Sequence, residues 1–161
     1  MFLQREYRLN VAIVIVNLSG KVLWCQRKEH DGWQFPQGGI DKGETPLEAA
    51  IRETKEEVGL DSKDIEIVHE SQDWFKYEVP KDKRSRYFTG KKFVGQKQKW
   101  FLARLLSDDT NINLKTTRPV EFDNWIWASY WHALNTVVPF KKEVYREALL
   151  SILPEYNQLN Q

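Results

Sequence analysis

Glu53, Glu56 and Glu57 fall within Arg52-Glu53-Thr54-Lys55-Glu56-Glu57-Val58. On a helix, spacings of three and four bring side chains together, so the three carboxylates share a face. Carboxylates so close repel and raise one another's pKa values. A divalent cation reverses the sign of that interaction. Mg²⁺ takes hard oxygen ligands from a rigid element and completes its octahedron with water and phosphate oxygens. The pattern therefore points to metal-assisted phosphate chemistry, with a solvated acidic helix face as the plainer alternative.

A helix to carry these groups is written into the surrounding residues. Thr45 is a good N-cap, Pro46 suits the first helical position, Glu48 completes a capping box and Gly59 stops the helix after Val58. Leu47, Ile51, Thr54 and Val58 are expected to form its apolar stripe, with the glutamates on another face. Before it, 11–17 and 21–27 read as a hairpin around Leu18-Ser19-Gly20, the first strand buried on both faces. Glu29-His30-Asp31-Gly32 reads as a turn, and Gly38 and Gly39 let the backbone approach a metal or phosphate closely. Strands are expected at 65–69, 74–79, 97–105 and 125–128. A closing helix runs from Pro139 until Pro154.

The chain has 161 residues, 41% hydrophobic, with a net charge of +1. This composition fits one globular domain over 1–161, with its core at about 6–150. The single cysteine, Cys25, fits a reducing cytoplasm and reads as a buried, inert thiol. Val11–Val16 is too short to cross a bilayer, and the first ten residues lack the apolar core of a signal peptide. A membrane role is not expected. His30, His69 and His132 share no metal-binding spacing. Basic residues crowd one region: Lys81, Lys83, Arg84, Arg86, Lys91, Lys92, Lys97 and Lys99 against Asp82. Alternation on a strand aims Lys97 and Lys99 at one face, read as lying near phosphates. For 81–86 a solvated loop is an equal alternative.

Gly38, five residues, Glu44, seven residues and then Arg52-Glu53-Thr54-Lys55-Glu56-Glu57-Val58-Gly59-Leu60 resembles the signature box of the Nudix hydrolases, with Thr54 at a position usually aliphatic. The resemblance implies an α/β (α+β) fold, a mixed sheet sandwiched between helices. It also implies hydrolysis of a nucleoside diphosphate linked to another group, assisted by Mg²⁺ or Mn²⁺. Glu53, Glu56 and Glu57 are then metal ligands, with the Gly38 carbonyl as a further one. Arg52 steers a catalytic glutamate and Glu44 is structural. Candidates for the general base are Glu57, Glu53 and Glu121, and Glu121 is expected to complete the metal site.

The segment Trp33-Gln34-Phe35-Pro36-Gln37-Gly38-Gly39-Ile40 narrows the resemblance to the branch of RNA pyrophosphohydrolases and dinucleoside polyphosphate hydrolases. So do Gly95-Gln96-Lys97-Gln98-Lys99-Trp100-Phe101 and Val137-Val138-Pro139-Phe140-Lys141. In that branch the first substrate class is 5′-phosphorylated single-stranded RNA, trimmed to a 5′-monophosphate that opens mRNA to decay. The alternative is Ap4A, split to ATP and AMP. DNA is not expected, and no protein partner is implied. Arg27 would contact the bases or phosphates of the first nucleotides, Arg8 a phosphate nearby, and Val138, Phe140 and Lys141 would hold the second base. A catalytically silent RNA-binding module and a housekeeping nucleotide hydrolase are the remaining readings. The intact glutamates argue against the first, and Gln37 with Phe140-Lys141 against the second.

Overall fold

A computed structural model describes residues 6–28, 32–89, 92–117 and 119–159. The Glu29-His30-Asp31 part of the expected turn, and Lys91 of the basic region, lie outside the described residues.

The chain runs β1 (Glu6–Val16), β2 (Val22–Arg27), β3 (Trp33–Gln34), β4 (Gln37–Gly39), α1 (Pro46–Val58), β5 (Ile65–Glu70), β6 (Phe75–Glu78), α2 (Arg84–Tyr87), β7 (Phe93–Leu105), β8 (Phe122–Ala128), α3 (Ala133–Thr136) and α4 (Lys142–Leu159). The strands join one mixed sheet. Its main path is β3-β2-β1-β7-β5, with β4 on β1, β6 on β7 and β8 on β2. At its centre β1 and β7 run parallel, from Glu6 beside Phe93 to Val16 beside Arg104. The expected hairpin closes at Asn17, whose N–H donates to the Lys21 carbonyl, with Gly20 at φ 76°.

Strand alternation sends β1 into two cores. Ala12, Val14 and Val16 pack with Trp24, Phe35, Trp100 and the Val144, Tyr145, Ala148 and Ile152 face of α4. Val11, Ile13 and Ile15 pack with Phe101, Ala103 and Ala49, Ala50 and Val58 of α1. A helix on each side of one sheet is the two-faced burial that the aliphatic run of β1 demands.

Two expectations are corrected. Helix α4 does not stop at Pro154 but continues to Leu159. Proline removes one helical hydrogen bond, and tertiary anchoring offsets the loss. The Tyr156 ring packs on Tyr130, its hydroxyl donates to the Gly20 carbonyl, and Leu153 and Leu159 lie against the core. Helix α1 is also rotated from its expected orientation. Leu47 and Ile51 are 42% and 38% exposed, while Ala49, Ala50, Glu53, Thr54 and Val58 are buried. Small alanines let α1 sit close to the sheet, and that orientation carries Glu53 inward with them. Thr54, fully buried, closes its hydroxyl on the Ala50 carbonyl at 2.7 Å.

Candidate active site

Helix α1 begins as its sequence demands. The Thr45 side chain accepts from the Glu48 N–H at 3.1 Å, and Glu48 accepts from the Thr45 N–H at 3.1 Å. At the other end the Gly59 N–H donates to the Lys55 carbonyl, with Gly59 at φ 76°. A helix pinned at both ends gives its acidic groups fixed positions over β4.

Arg52 is the hub on its outer side. It donates to both oxygens of Glu44 at 2.8 and 2.9 Å, to Glu53 at 2.7 Å, to Glu56 at 3.1 Å and to the Gly39 carbonyl at 2.8 Å. The Arg52 hydrogen bonds hold the Glu44 carboxyl down at about 2. Arg52 thus ties the loop before α1, the helix and β4 into one unit.

The inner side is different. Glu57 lies half-buried and accepts from the Gln37 N–H at 3.0 Å. Burial pushes its pKa well up, and the nearby carboxylates of Glu53 and Glu121 push the same way. Glu53 is raised to about 7 by burial, against the hydrogen bond from Arg52. Its carboxylate fills the space where a side chain at Gly38 would stand, 1.9 Å from an added Cβ. Gly39 does the same for Arg8, whose guanidinium lies 2.2 Å from the would-be Cβ. The glycines of this segment therefore make room for one anion and one cation. Glu121 enters from the 119–121 loop, held by its carbonyl to the Lys28 N–H at 3.0 Å and facing Arg27 at 3.8 Å.

These groups line a cavity of about 360 Å³ in which Glu53, Glu57 and Glu121 stand with Arg8, Arg27 and Arg86. The donors suit a hard divalent cation in chemistry, being oxygens held together against their own repulsion. Among the described residues, however, no three His, Cys, Asp or Glu side chains converge on one point. Arg52 still binds oxygens of Glu53 and Glu56, so ligation there requires them to turn from the arginine. The Cys25 thiol, buried behind the site, is raised by burial and then by Glu57.

Lys97 and Lys99 do not line this cavity, contrary to expectation. On β7 the neighbours of opposite parity do: Gln96 lines it and Gln98 reaches Gln37 at 3.3 Å and Asn10 at 2.8 Å. Lys99 instead donates to the Ser71 and Gln72 carbonyls at 2.8 and 2.9 Å. Strand period decided the face, and the amides hold the inner one. Sequence reasoning passed over Asn10, Gln34 and Gln96 as site residues. The available signal was the alternation of Gln96 and Gln98 with Lys97 and Lys99, which puts the two sets on opposite faces without saying which is inward. Gln96 is 3% exposed, and among the described residues its Oε1 has no hydrogen-bond partner.

Val138, Phe140 and Lys141 stand beside the cavity rather than on its lining. The Phe140 ring centroid lies 5.9 Å from Tyr77 and 5.8 Å from Tyr87. The Lys141 ammonium, buried among Tyr77, Tyr87 and Phe140, donates to Gln34 at 3.2 Å. Burial, helped by Arg27, lowers it to about 7. Arg27 crosses the Tyr87 ring at 4.9 Å and donates to its hydroxyl at 2.9 Å.

The chain is similar to known proteins over most of its length. An RNA pyrophosphohydrolase of Francisella philomiragia subsp. philomiragia is 54% identical over 144 residues, 89% of this chain and 91% of that protein. One from Mannheimia succiniciproducens is 49% identical over 143 residues, 89% of this chain and 72% of its own. Among solved structures, E. coli dihydroneopterin triphosphate pyrophosphohydrolase superposes with a TM-score of 0.70 at 24% identity, over 91% of this chain and 99% of that one. At that identity the likeness concerns fold alone. A C. elegans Ap4A hydrolase in a binary complex gives 0.59 at 25% identity, over 91% and 98%. The NUDIX domain model matches residues 6–148, with the box running from β4 through the whole of α1 and the mixed sheet between helices: the chain belongs to the Nudix hydrolase family.

Proposed function

We propose that the protein is a metal-dependent RNA 5′ pyrophosphohydrolase. It hydrolyses a phosphoanhydride of a 5′-triphosphate RNA end, leaving a 5′-monophosphate and releasing pyrophosphate; a diphosphate end yields phosphate. In the cell this product opens mRNA to decay. One observation carries the reading: Glu53, Glu57 and Glu121 line one small polar cavity together with Arg8, Arg27 and Arg86, beside an aromatic cage. Relatives at 49–54% identity named RNA pyrophosphohydrolase support the substrate class.

Glu53, Glu56, Glu57 and Glu121, with the Gly38 carbonyl, are the groups that would hold Mg²⁺ or Mn²⁺. The ion supplies charge neutralisation of the phosphates and a more acidic bound water. Arg8, Arg27 and Arg86 bind the phosphate oxygens as multidentate donors. Glu57, Glu53 or Glu121 takes the proton of the attacking water, which calls for a carboxylate within hydrogen-bond reach. The cage of Phe140, Tyr77 and Tyr87, with Val138 and Lys141, receives the base of the second nucleotide by stacking.

The test is release of pyrophosphate from 5′-triphosphorylated RNA in Mg²⁺, its abolition by EDTA and its loss in Glu121→Gln. Folding of that variant should be unchanged, and near-normal turnover would remove Glu121 from the site. A second reading, dinucleoside polyphosphate hydrolysis, is favoured by the likeness to the Ap4A hydrolase. Competition between triphosphorylated RNA and Ap4A at equal concentration separates the two. Far more efficient cleavage of Ap4A would overturn the RNA assignment.

A further inference from the structure

The odd-numbered side chains of β1 and β7 leave the sheet on the α1 side, and beyond the helix, among the described residues, Leu9 and Lys97 on that face are exposed. Two rows cross it. Gly38 pairs with Val11 and Val11 with Lys99, and Trp74 stands one residue before β6, with its ring 5.6 Å from the Lys99 ammonium. In the next row Leu9 pairs with Lys97 and Lys97 with Lys76. Leu9 is 46% exposed. Lys76 and Lys97 are exposed, and Trp74 is half-buried.

Three features of this face are unlike ordinary solvated surface. Lys76 and Lys97 are direct cross-strand partners, and like charges so placed destabilise a sheet. Among the described residues neither has an ion pair; each has only a ring beneath it, Tyr7 at 5.1 Å for Lys76 and Trp74 at 5.7 Å for Lys97. Among the described residues Trp74 belongs to neither apolar core, and its half-buried ring has the Lys97 and Lys99 ammoniums over it. The acidic neighbours are engaged elsewhere: Glu70 lies 3.7 Å from Lys99, and Glu78 accepts from the Tyr7 hydroxyl at 3.4 Å. A flat aromatic flanked by unpaired cations is how single-stranded nucleic acid is held without sequence preference.

We infer that this face is a second RNA contact, in which Trp74 stacks a base and Lys76 and Lys97 meet the backbone of the strand 3′ of the bound end. The inference rests on the RNA reading above. Register supplies the continuity. Gly38, against which Glu53 sits, and Trp74 are three strands apart in one row, about 14 Å at ordinary strand spacing. Val11 in that row is buried under α1, so the strand does not cross there. It passes instead from the second-base cage around β6, where Tyr77 on the cage side and Lys76 on the platform side are consecutive residues, and reaches the platform within a few nucleotides.

The test uses the full chain and the double variant Trp74→Ala, Lys76→Gln, with the melting temperature as a folding control. Binding of a 5′-hydroxyl single-stranded RNA dodecamer is followed by anisotropy, and hydrolysis is measured on a triphosphorylated dinucleotide and dodecamer. The variant should bind the dodecamer roughly tenfold more weakly. The slope of log affinity against log salt should fall by about 0.7 for the one lysine removed. KM for the triphosphorylated dodecamer should rise by the same factor with kcat unchanged, and the dinucleotide should be processed as before. Equal dodecamer binding by parent and variant overturns the platform, as does an equal effect on dinucleotide and dodecamer. If the parent binds the 5′-hydroxyl dodecamer through Trp74 yet hydrolyses neither triphosphorylated RNA, the substrate reading fails and the platform stands.

Discussion

Glu53 and Lys141 are displaced toward the same pH from opposite sides, and the cause in both is burial. Glu53 stands at about 7, above its usual 4.5. A carboxyl raised on folding lends stability at low pH that is lost as pH rises through its folded value. With EDTA present, the melting temperature should therefore fall between about pH 4.5 and 7. Mg²⁺ should restore more of it at pH 8 than at pH 5, because binding requires the carboxylates to be deprotonated. A flat profile in EDTA would mean that the acidic centre is not strained. Lys141 stands at about 7, below 10.5. Its sign is the reverse: stability rises with pH between those values and is lost as pH falls toward 7. Lys141→Met should then stabilise the fold by on the order of 1 kcal/mol near pH 7 or below, with the gain shrinking toward pH 10. Chemical denaturation at both pH values measures this, and weaker binding of RNA ends is expected alongside.

Helix α1 shows how a short element can be legible at its ends and misread around its axis. Thr45, Glu48 and Gly59 act locally, through hydrogen bonds to the backbone within a few residues, so the bounds Pro46 to Val58 follow from the sequence. Thr45→Ala should cost about 1 kcal/mol in equilibrium unfolding. Which face turns inward is not local. Leu47 and Ile51 promised the stripe, yet the sheet accepted Ala49 and Ala50 and the close approach that they permit. The same limit applies to β7, where nothing in the lysines reveals that Gln96 and Gln98 own the inner face until β1 and β4 are in place. The box itself was legible because its spacing reflects one helix and one turn. Gly38 is where the two scales meet. Gly38→Ala puts a methyl into the Glu53 carboxylate and should lower kcat roughly 100-fold with the fold retained. Retained turnover would mean that Glu53 can serve from elsewhere.

Across the whole molecule the site depends on three strands keeping register where they bring polar groups into the interior. Gln98 is the tie. Its amide nitrogen donates to Asn10 on β1 at 2.8 Å and to Gln37 on β4 at 3.3 Å, and its oxygen accepts from the Trp100 indole at 3.1 Å. The Gln37 backbone N–H in turn donates to Glu57, so a buried amide on β7 is two steps from a carboxylate on α1. The fold thus transmits the position of the central strands into the acidic centre without any catalytic group on β7. Gln98→Leu keeps the volume but orphans Asn10, Gln37 and the Trp100 N–H, each a buried polar group worth roughly 1–3 kcal/mol when unmade. The expected result is a loss of about 2 kcal/mol or more in unfolding free energy, together with a fall in kcat that exceeds any change in KM. Gln98→Glu separates the two effects, because it keeps the acceptor for Trp100 but repels the oxygens of Asn10 and Gln37. Turnover should fall further in Gln98→Glu than in Gln98→Leu if β4 is what positions Glu57. Equal turnover in both variants and the parent would show that the acidic centre holds its place through Arg52 alone.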